Sequence, residues 1–374
     1  MLTAFPPDYF TATYERSGNV KPYSERGWCF CESSWAAMVN DSRLVLDLGK
    51  DTGEGSFNRN ECKQGRKAPV LPAEFVVQLQ SKGFTNGSTD SPRVAVLYSK
   101  GFEERFSVVT RLLYAGLGWG DEEARAVARV LPHAPALQEL DLDNNSIGGE
   151  SARVLAGALR HVPALQGLSL NNNSIGDEGA RALAEAVPHV PALQTLELGG
   201  NSIGDKGARA VAQALQHTPA LQRLSLQANT IGDEGARALA QALQHTPALQ
   251  VLLLGGNSIG NEGARALARA LLQHTPALQR LDLRSNTIGD EGARALAKAL
   301  QHTPALEWLD LSDNSIGDEG ARALAQALPH VPAQQRFFLD SNSIGEEAKA
   351  ALRTAWGTRG SRSVRVDRGL TLNA

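Results

Sequence analysis

The sequence predicts an α/β solenoid, in which short strands form an inner parallel sheet and amphipathic helices lie outside it. An asparagine returns at a nearly constant interval, each time after a segment in which leucine alternates with variable residues and before a segment with alanine and leucine at helical spacing. A repeat this short cannot bury its apolar face alone, so neighbouring copies must stack. The repeated asparagines, which we expect to form a ladder of buried amides, are Asn145, Asn173, Asn201, Asn229, Asn257, Asn286, Asn314 and Asn342.

The composition indicates a soluble protein without a bulk preference for nucleic acid or anionic membranes. Of the 374 residues 42% are hydrophobic, the net charge is -3 and the pI is about 6.3. No run of 18 apolar residues appears, and the first residues lack the basic and apolar regions of a secretory signal. We therefore expect a monomeric cytoplasmic protein that does not span a membrane.

Residues 1–106 show no trace of the repeat and predict a small mixed α/β or partly disordered region. The stretch 50–67 is rich in glycine and mixed charge and predicts a loop. The ordered elements predicted around it are helices at 31–40 and 72–82 and strands at 43–48 and 93–98. We assign 107–366 to the solenoid, with an N-terminal cap unit, eight repeats and a C-terminal cap, and 367–374 to a tail.

One motif in the first region, Trp28-Cys29-Phe30-Cys31-Glu32, resembles the third-helix region of Toll/interleukin-1 receptor-type domains. The resemblance implies an NAD-cleaving enzyme in which Glu32 is catalytic, although the sequence before Trp28 is short for the strand and nucleotide-lining loop that such a domain needs there. The alternative is that Trp28 and Cys29 pack beneath a helix and Glu32 is solvated. Comparing NAD consumption by the chain and by a Glu32→Ala variant distinguishes the two.

A single repeat illustrates each predicted element. Residues 193–201 alternate apolar and variable side chains and predict a strand with one buried face, after which the asparagine marks the turn. The acidic residues that follow suit the start of a helix, where the dipole favours negative charge. The helix should end before the proline of a His-x-Pro sequence, because a residue that precedes proline disfavours the helical conformation.

The repeat pattern, with its Asn-x-Ile-Gly-x-Glu-Gly-Ala core, resembles the ribonuclease-inhibitor class of leucine-rich repeats from Leu112 to about Trp356. The resemblance implies a right-handed horseshoe with strands on its concave face. The repeats are also similar to those of cytosolic nucleotide-binding leucine-rich-repeat receptors, but the chain has no nucleotide-binding module. At the ends, Tyr114 and Trp119 predict an N-terminal cap, and Phe337 and an edge strand at 361–367 predict a C-terminal cap.

Two further columns of repeated residues invite a chemical role that their spacing does not support. All eight histidines fall at the predicted helix ends, about 8–10 Å from their neighbours, which is too far apart to share a zinc ion. A column of arginines follows acidic residues at the spacing of helix ion pairs, so we expect a solvated face without nucleic-acid binding. The three cysteines, Cys29, Cys31 and Cys62, lack partners for a zinc site or a disulfide framework. We therefore expect no metal and no cofactor.

The outward strand positions differ between repeats, and we predict that function lies there. The early repeats carry acidic residues such as Glu139 and Asp141, whereas the later ones combine arginine with exposed apolar and aromatic groups. Tryptophan and arginine are enriched among binding hot spots. The predicted binding residues on the concave face are Arg223, Val251, Leu253, Arg280, Asp282, Trp308, Asp310, Arg336 and Phe338. The alternative is drift in the repeats without any partner.

These observations favour a non-enzymatic scaffold that binds a protein partner, with a role in intracellular sensing or signalling. A second hypothesis is a GTPase-activating protein of the Ran-regulator type, which shares this repeat type. The acidic C-terminal tail of that family is missing, since residues 353–368 carry five arginines and one aspartate. A GTP-hydrolysis rate that stays flat when Ran is added would exclude this hypothesis.

Overall fold

The computed structural model describes residues 67–84, 87–330, 336–357, 363–367 and 370–373, together with Ser34, which is helical and buried. The rest of the predicted helix at 31–40 lies outside the described residues. So do the predicted strand at 43–48, Glu32 and the three cysteines.

The described chain alternates strands and helices in the order that the repeat predicts. The helices are α1 (Pro72–Leu79), α2 (Gly87–Phe106), α3 (Asp121–Val130), α4 (Gly149–Ala158), α5 (Gly176–Ala186), α6 (Asp205–Ala214), α7 (Asp233–Ala242), α8 (Asn261–His274), α9 (Asp290–Leu300), α10 (Asp318–Ala327) and α11 (Glu346–Gly357). The strands are β1 (Arg111–Leu113), β2 (Glu139–Asp141), β3 (Gly167–Ser169), β4 (Thr195–Glu197), β5 (Arg223–Ser225), β6 (Val251–Leu253), β7 (Arg280–Asp282), β8 (Trp308–Asp310), β9 (Arg336–Phe338), β10 (Ser363–Asp367) and β11 (Leu370–Asn373).

The strands form one sheet in chain order, which confirms the predicted α/β solenoid. Strands β1 to β10 are parallel, and β11 closes the sheet by pairing antiparallel with β10. Each strand pairs in register with the next, so that Leu196 lies opposite Leu168 on one side and Leu224 on the other. These central leucines are at most 4% exposed. One apolar column therefore runs through the repeats beneath the sheet.

The repeated asparagines form a ladder of side-chain amides that is buried at the six interior positions and half-buried at Asn145 and Asn342, and each one completes the backbone of the preceding repeat. Asn229 Nδ2 donates to the carbonyl oxygens of Leu198 and Leu226, 3.0 Å away in both cases. Asn229 Oδ1 accepts from the N–H groups of Asn201 and Ile203, each at 2.9 Å. Because a short strand followed by a turn leaves these backbone groups without other partners, the amide satisfies polar groups that burial would otherwise penalise.

The aspartates at the helix starts act in the opposite direction, because each one caps the helix of the following repeat. Asp205 Oδ1 accepts from the N–H groups of Gly232 and Gly235, both at 2.8 Å, and Asn261 Oδ1 makes the corresponding contacts with Gly289 and Gly292 of the repeat that follows its own. In the first unit Gly120 donates instead to Glu123 of its own helix. These carboxylates satisfy N–H groups at the start of a helix that have no acceptor within the helix.

One junction lacks this cap. Gly149 occupies the position of the capping aspartate, and the next helix, α5, begins differently from its neighbours. There Gly176 adopts a φ of 62°, whereas the corresponding Gly204 and Gly232 are extended. A left-handed backbone of this kind is accessible to glycine without steric cost.

The helices α1 and α2 pack against the first repeat. Residues 93–98, predicted as a strand, belong to α2, so that prediction is wrong. The physical reason is a stripe of fully buried side chains, Val94, Tyr98, Phe102 and Phe106, spaced by four residues as on one face of a helix. Tyr98 stacks on Phe75 of α1 with ring centroids 3.7 Å apart. The helix predicted at 72–82 is confirmed, but it ends at Leu79.

The hydrophobic core continues across the boundary predicted at residue 106. Phe102 of α2 contacts the His133 ring edge-on, 5.2 Å between ring centroids, and belongs to the same buried cluster as Tyr114 and Trp119. The buried Tyr114 and Trp119 occupy the positions predicted for a cap. At the other end Phe337 is buried, and the predicted edge strand is β10, paired with β9. Both ends of the repeat core are therefore covered by other elements.

Candidate protein-binding surface on the sheet

The surface that varies between repeats is the side of the sheet that faces away from the helices. We call it the strand face and define it by the first and third residues of β2 to β9. Side chains alternate along a strand, so these residues point away from the core into which the central residue points. The in-register pairing aligns the first residues in one row and the third residues in another.

Most of the predicted binding residues lie on the accessible part of this face. Arg336 is exposed, and the others in this group are partly exposed, namely Arg223, Val251, Arg280, Trp308 and Phe338. The pairing of β7, β8 and β9 brings Arg280, Trp308 and Arg336 side by side. The structure therefore brings together the arginine and aromatic residues that the sequence placed in separate repeats.

Three of the predicted binding residues, each the third residue of its strand, are buried instead. Leu253, Asp282 and Asp310 are 4%, 1% and 7% exposed, so the expected exposure of Leu253 is wrong. Parallel strands lie only about 4.8 Å apart, and a short side chain on a central strand is surrounded by those of both neighbouring strands. Leu253 lies opposite Ser225 and Asp282 on its two sides. A partner could therefore reach little of these three side chains.

The centre of the candidate site is a stack of three side chains. The Arg280 guanidinium lies over the indole ring of Trp308, and Phe338 meets that ring edge-on, with centroids 5.9 Å apart and an interplanar angle of 85°. A cation over an indole face is attracted by the ring's quadrupole. Arg280 Nε and Trp308 Nε1 are buried and have no hydrogen-bond partner among the described residues. The arrangement is held by ring contacts, which leave hydrogen-bonding capacity unused.

The electrostatics of this region depend on carboxylates below the surface. Burial raises the pKa of Asp282, although the Arg284 backbone N–H, which donates to its Oδ1 from 3.1 Å, opposes that shift. Burial also lowers the pKa of Arg280, and the charge of Asp282 opposes this effect. The Arg284 side chain is 52% exposed. The acids are thus enclosed while the arginines face solvent, so the accessible charge here is positive.

Arg284 was missed by the sequence prediction. It follows β7 at the position that Gly199, Gln227 and Gly255 occupy in other repeats, outside the two rows that were compared. Comparing this third column across the repeats would have identified it, since Arg284 is its only cationic member between residues 143 and 340.

The other end of the strand face is acidic and more fully hydrogen-bonded. Asn171 Nδ2 donates to Asp143 Oδ2 at 3.1 Å and to Glu197 Oε2 at 2.7 Å. Glu197 also pairs with Arg223, and Glu139 pairs with Arg111. Burial raises the pKa of Asp143 to about 6. The two halves of the strand face, β2 to β5 and β6 to β9, therefore differ in charge. The partly exposed aromatic groups lie in the second half.

Within the described ranges no group of three His, Cys, Asp or Glu residues could hold a metal ion. Among these residues, too, no helix has the length and apolarity needed to cross a bilayer. The repeated histidines lie at the ends of the helices, as at His217 and His245.

The leucine-rich repeat family model matches seven segments, at residues 133–156, 165–184, 191–212, 219–240, 247–268, 276–297 and 305–325. No curated protein matches the chain. Among solved structures, internalin C2 from Listeria monocytogenes is 22% identical with a TM-score of 0.37, over 52% of this chain and 76% of that protein. The actin-binding site 2 of leiomodin-1 is 17% identical with a TM-score of 0.34, over 40% of this chain and 86% of that one.

The family matches coincide with the structural repeat. Each matched segment includes one short strand, the asparagine turn and most of the helix that follows, and the seven segments together span residues 133 to 325. The family model and the structure thus define the same repeat. Residues 133–325 of the chain are leucine-rich repeats.

Proposed function

We propose that the chain is a non-enzymatic scaffold that binds a protein partner on the second half of its strand face. Leucine-rich repeats as a class mediate protein–protein interactions. The observation that supports this face is the Arg280–Trp308–Phe338 stack, together with Arg336 on the neighbouring strand. Partly exposed aromatic and arginine side chains, arranged over a rigid sheet, are the typical composition of a binding hot spot.

The rigidity of the site strengthens the proposal. Every strand from β2 to β10 is paired on both sides, and the neighbouring Asp282 and Asp310 are buried. The side chains of the site therefore lose little conformational freedom when a partner binds, which lowers the entropic cost of association. A partner with carboxylate and apolar groups would match the accessible arginines and aromatic rings.

The test compares the full chain with a variant that carries Arg280→Ala, Trp308→Ala and Phe338→Ala. A matched control carries Arg209→Gln and Arg322→Gln, two exposed residues on the outer helices. Each chain is immobilised and used for affinity capture from the same lysate, and a captured protein is then purified and its Kd measured. We expect the triple substitution to weaken binding at least about a hundredfold, which is the effect of losing two hot-spot residues. The control should bind normally.

Circular dichroism must show that the triple variant is folded, because the stack is partly buried. Should a partner of the unmodified chain bind the folded triple variant with equal affinity, the strand face is not the binding surface. If the unmodified chain and the control capture no protein in common, the result counts against the scaffold function itself.

A further inference from the structure

The outer surface of the solenoid carries a column of arginines whose charges are mostly neutralised. Arg209, Arg294 and Arg322 pair with a glutamate of the following repeat, at 2.9, 2.8 and 3.3 Å. Arg265 pairs with Glu262 of its own helix and with Glu291 of the next, at 2.8 Å each. Exposed pairs of this kind contribute little stability, but they leave no net charge for a ligand to recognise.

The helices around α8 depart from this balance. Arg237, Arg269 and Lys298 are exposed, and none of them forms an ion pair with a carboxylate in the described part of the chain. Arg269 and Lys298 occupy the position that is Gln213, Gln241 and Gln326 in the helices α6, α7 and α10. Arg269 and Lys298 are thus additional cations of α8 and α9, because α6, α7 and α10 carry an uncharged glutamine at this position.

The three cations line two grooves that meet on α8. The groove between α7 and α8 has a volume of about 350 Å³ and is lined by Arg237 and Arg269 among others. The groove between α8 and α9, of about 440 Å³, is lined by Arg269 and Lys298. Each groove also contains a glutamate, Glu262 in the first and Glu291 in the second, and both pair with Arg265. Arg265 and Arg269 line both grooves, so the two form one continuous surface whose unpaired charges are those of Arg237, Arg269 and Lys298.

An exposed leucine lies in this basic surface. Leu272 lines the groove between α8 and α9, is 42% exposed, and belongs to the repeat that an extra leucine makes longer than the others. The added residue extends α8 to 14 residues, through His274, whereas α7 has 10. An apolar side chain with no equivalent in the other repeats is therefore held beside Arg269 and Lys298.

We propose that this surface, which we call the outer basic groove, binds an acidic peptide segment of a partner protein that also presents an aliphatic side chain. Carboxylates match the guanidinium groups of Arg237 and Arg269, and the aliphatic group matches Leu272. Nucleic acid is a poorer match, because the adjacent groove between α6 and α7 contains Arg209 as its only arginine or lysine beside Gln213 and Gln216, so no long basic stripe exists. This surface lies on the helices, opposite the strand face, and constitutes a second binding site.

The probe is a fluorescein-labelled peptide of sequence EELEELLEEL, titrated with the full chain and followed by fluorescence anisotropy. The Arg269→Gln, Lys298→Gln double variant should bind it about tenfold more weakly, the effect expected for losing two exposed ion pairs. The Arg209→Gln, Arg322→Gln control removes the same charge from other repeats and should bind within about twofold of the unmodified chain. The triple variant of the strand face should also bind normally.

A Leu272→Gln variant tests the apolar contact separately, since this exposed residue can be changed without disturbing the core. It should weaken binding of the peptide and leave binding of polyuridylate unchanged. The proposal is overturned if the unmodified chain does not bind the peptide saturably, or if the double variant binds as tightly as the control. It is equally overturned if polyuridylate binds more tightly than the peptide and Leu272→Gln leaves the affinity for the peptide unchanged.

Discussion

Replacing Asn229 by alanine should lower the free energy of unfolding by about 3–6 kcal/mol, because it leaves three buried backbone groups without a partner. The substitution removes the only hydrogen-bond partner that the described residues provide for the N–H groups of Asn201 and Ile203 and for the carbonyl of Leu198. A buried polar group without a partner costs about 1–3 kcal/mol. Three such groups give a total of about 3–9 kcal/mol, and we expect the lower part of this range because water can partly reach the turn.

The control for this prediction is Asn145→Ala. Asn145 makes the same set of contacts, accepting from the N–H groups of Leu117 and Trp119 and donating to the carbonyls of Tyr114, Leu142 and Asp143. It differs in being only half-buried, whereas Asn229 is 7% exposed. Water can replace more of its contacts, so the loss of stability should be smaller.

Both variants are measured by equilibrium urea denaturation, followed in parallel by circular dichroism and tryptophan fluorescence, because a repeat array can unfold in more than one step. The explanation fails if Asn229→Ala costs less than about 1 kcal/mol. It also fails if Asn145→Ala costs as much as Asn229→Ala, since burial would then not determine the value of the amide.

Three further predictions concern single positions. Asp205→Ala should lower the stability of the folded chain by about 1–2 kcal/mol through loss of a helix cap, whereas Asp205→Asn should change it by no more than about 0.5 kcal/mol, because Asn261 makes the same contacts in another repeat. Thermal denaturation measures both variants, and equal effects would refute the capping role. Gly235→Ala should lower the stability of the folded chain by about 1–3 kcal/mol, because a Cβ there would lie 2.7 Å from Ile231 Cγ2. Gly157→Ala, whose Cβ would have nothing within 4 Å, should stabilise its helix by about 0.5–1 kcal/mol. An equal loss of stability at both positions in urea denaturation would contradict this explanation. Since burial raises the pKa of Asp143 from 3.8 to about 6, the ionised carboxyl lowers stability as pH rises through that interval and the effect is constant above it. D143N should therefore gain stability over the unmodified chain at pH 7.5 but not below pH 4, and a gain that does not change with pH would refute the assignment.

The repeat region was predictable from sequence because its periodicity repeats the same evidence in every unit. The strand, the asparagine turn and the helix lie where the pattern of residues 193–201 and its copies places them. The helix α2 was misassigned because the short window 93–98 contains a continuous apolar run with two β-branched valines, which is also typical of a buried strand. A window extended to Phe106 reveals apolar residues at every fourth position, which favours a helix.

The contacts between repeats were harder to foresee. The sequence indicates that Asp205 begins a helix, but only the structure shows that its carboxylate binds Gly232 of the next repeat. Likewise, alternation along β6 correctly directs Leu253 away from the core, yet its burial depends on the side chains of the neighbouring strands. Trp308 and Arg280 could be placed in one row from the repeat alone, whereas the stacking of the two side chains could not.

The opposite directions of the two ladders bear on how such a chain changes length. An interior repeat gives its aspartate to the unit after it and its asparagine to the unit before it, as Asp205 and Asn229 illustrate. The regular junctions between repeats are therefore interchangeable. A copy of a whole interior repeat would form the same contacts with its neighbours. The helix α3 is capped by its own Glu123, and Gly149 leaves the start of α5 without a cap, so these two junctions differ from the others. Whole repeats could thus be gained or lost with all of these contacts preserved in the region that follows them.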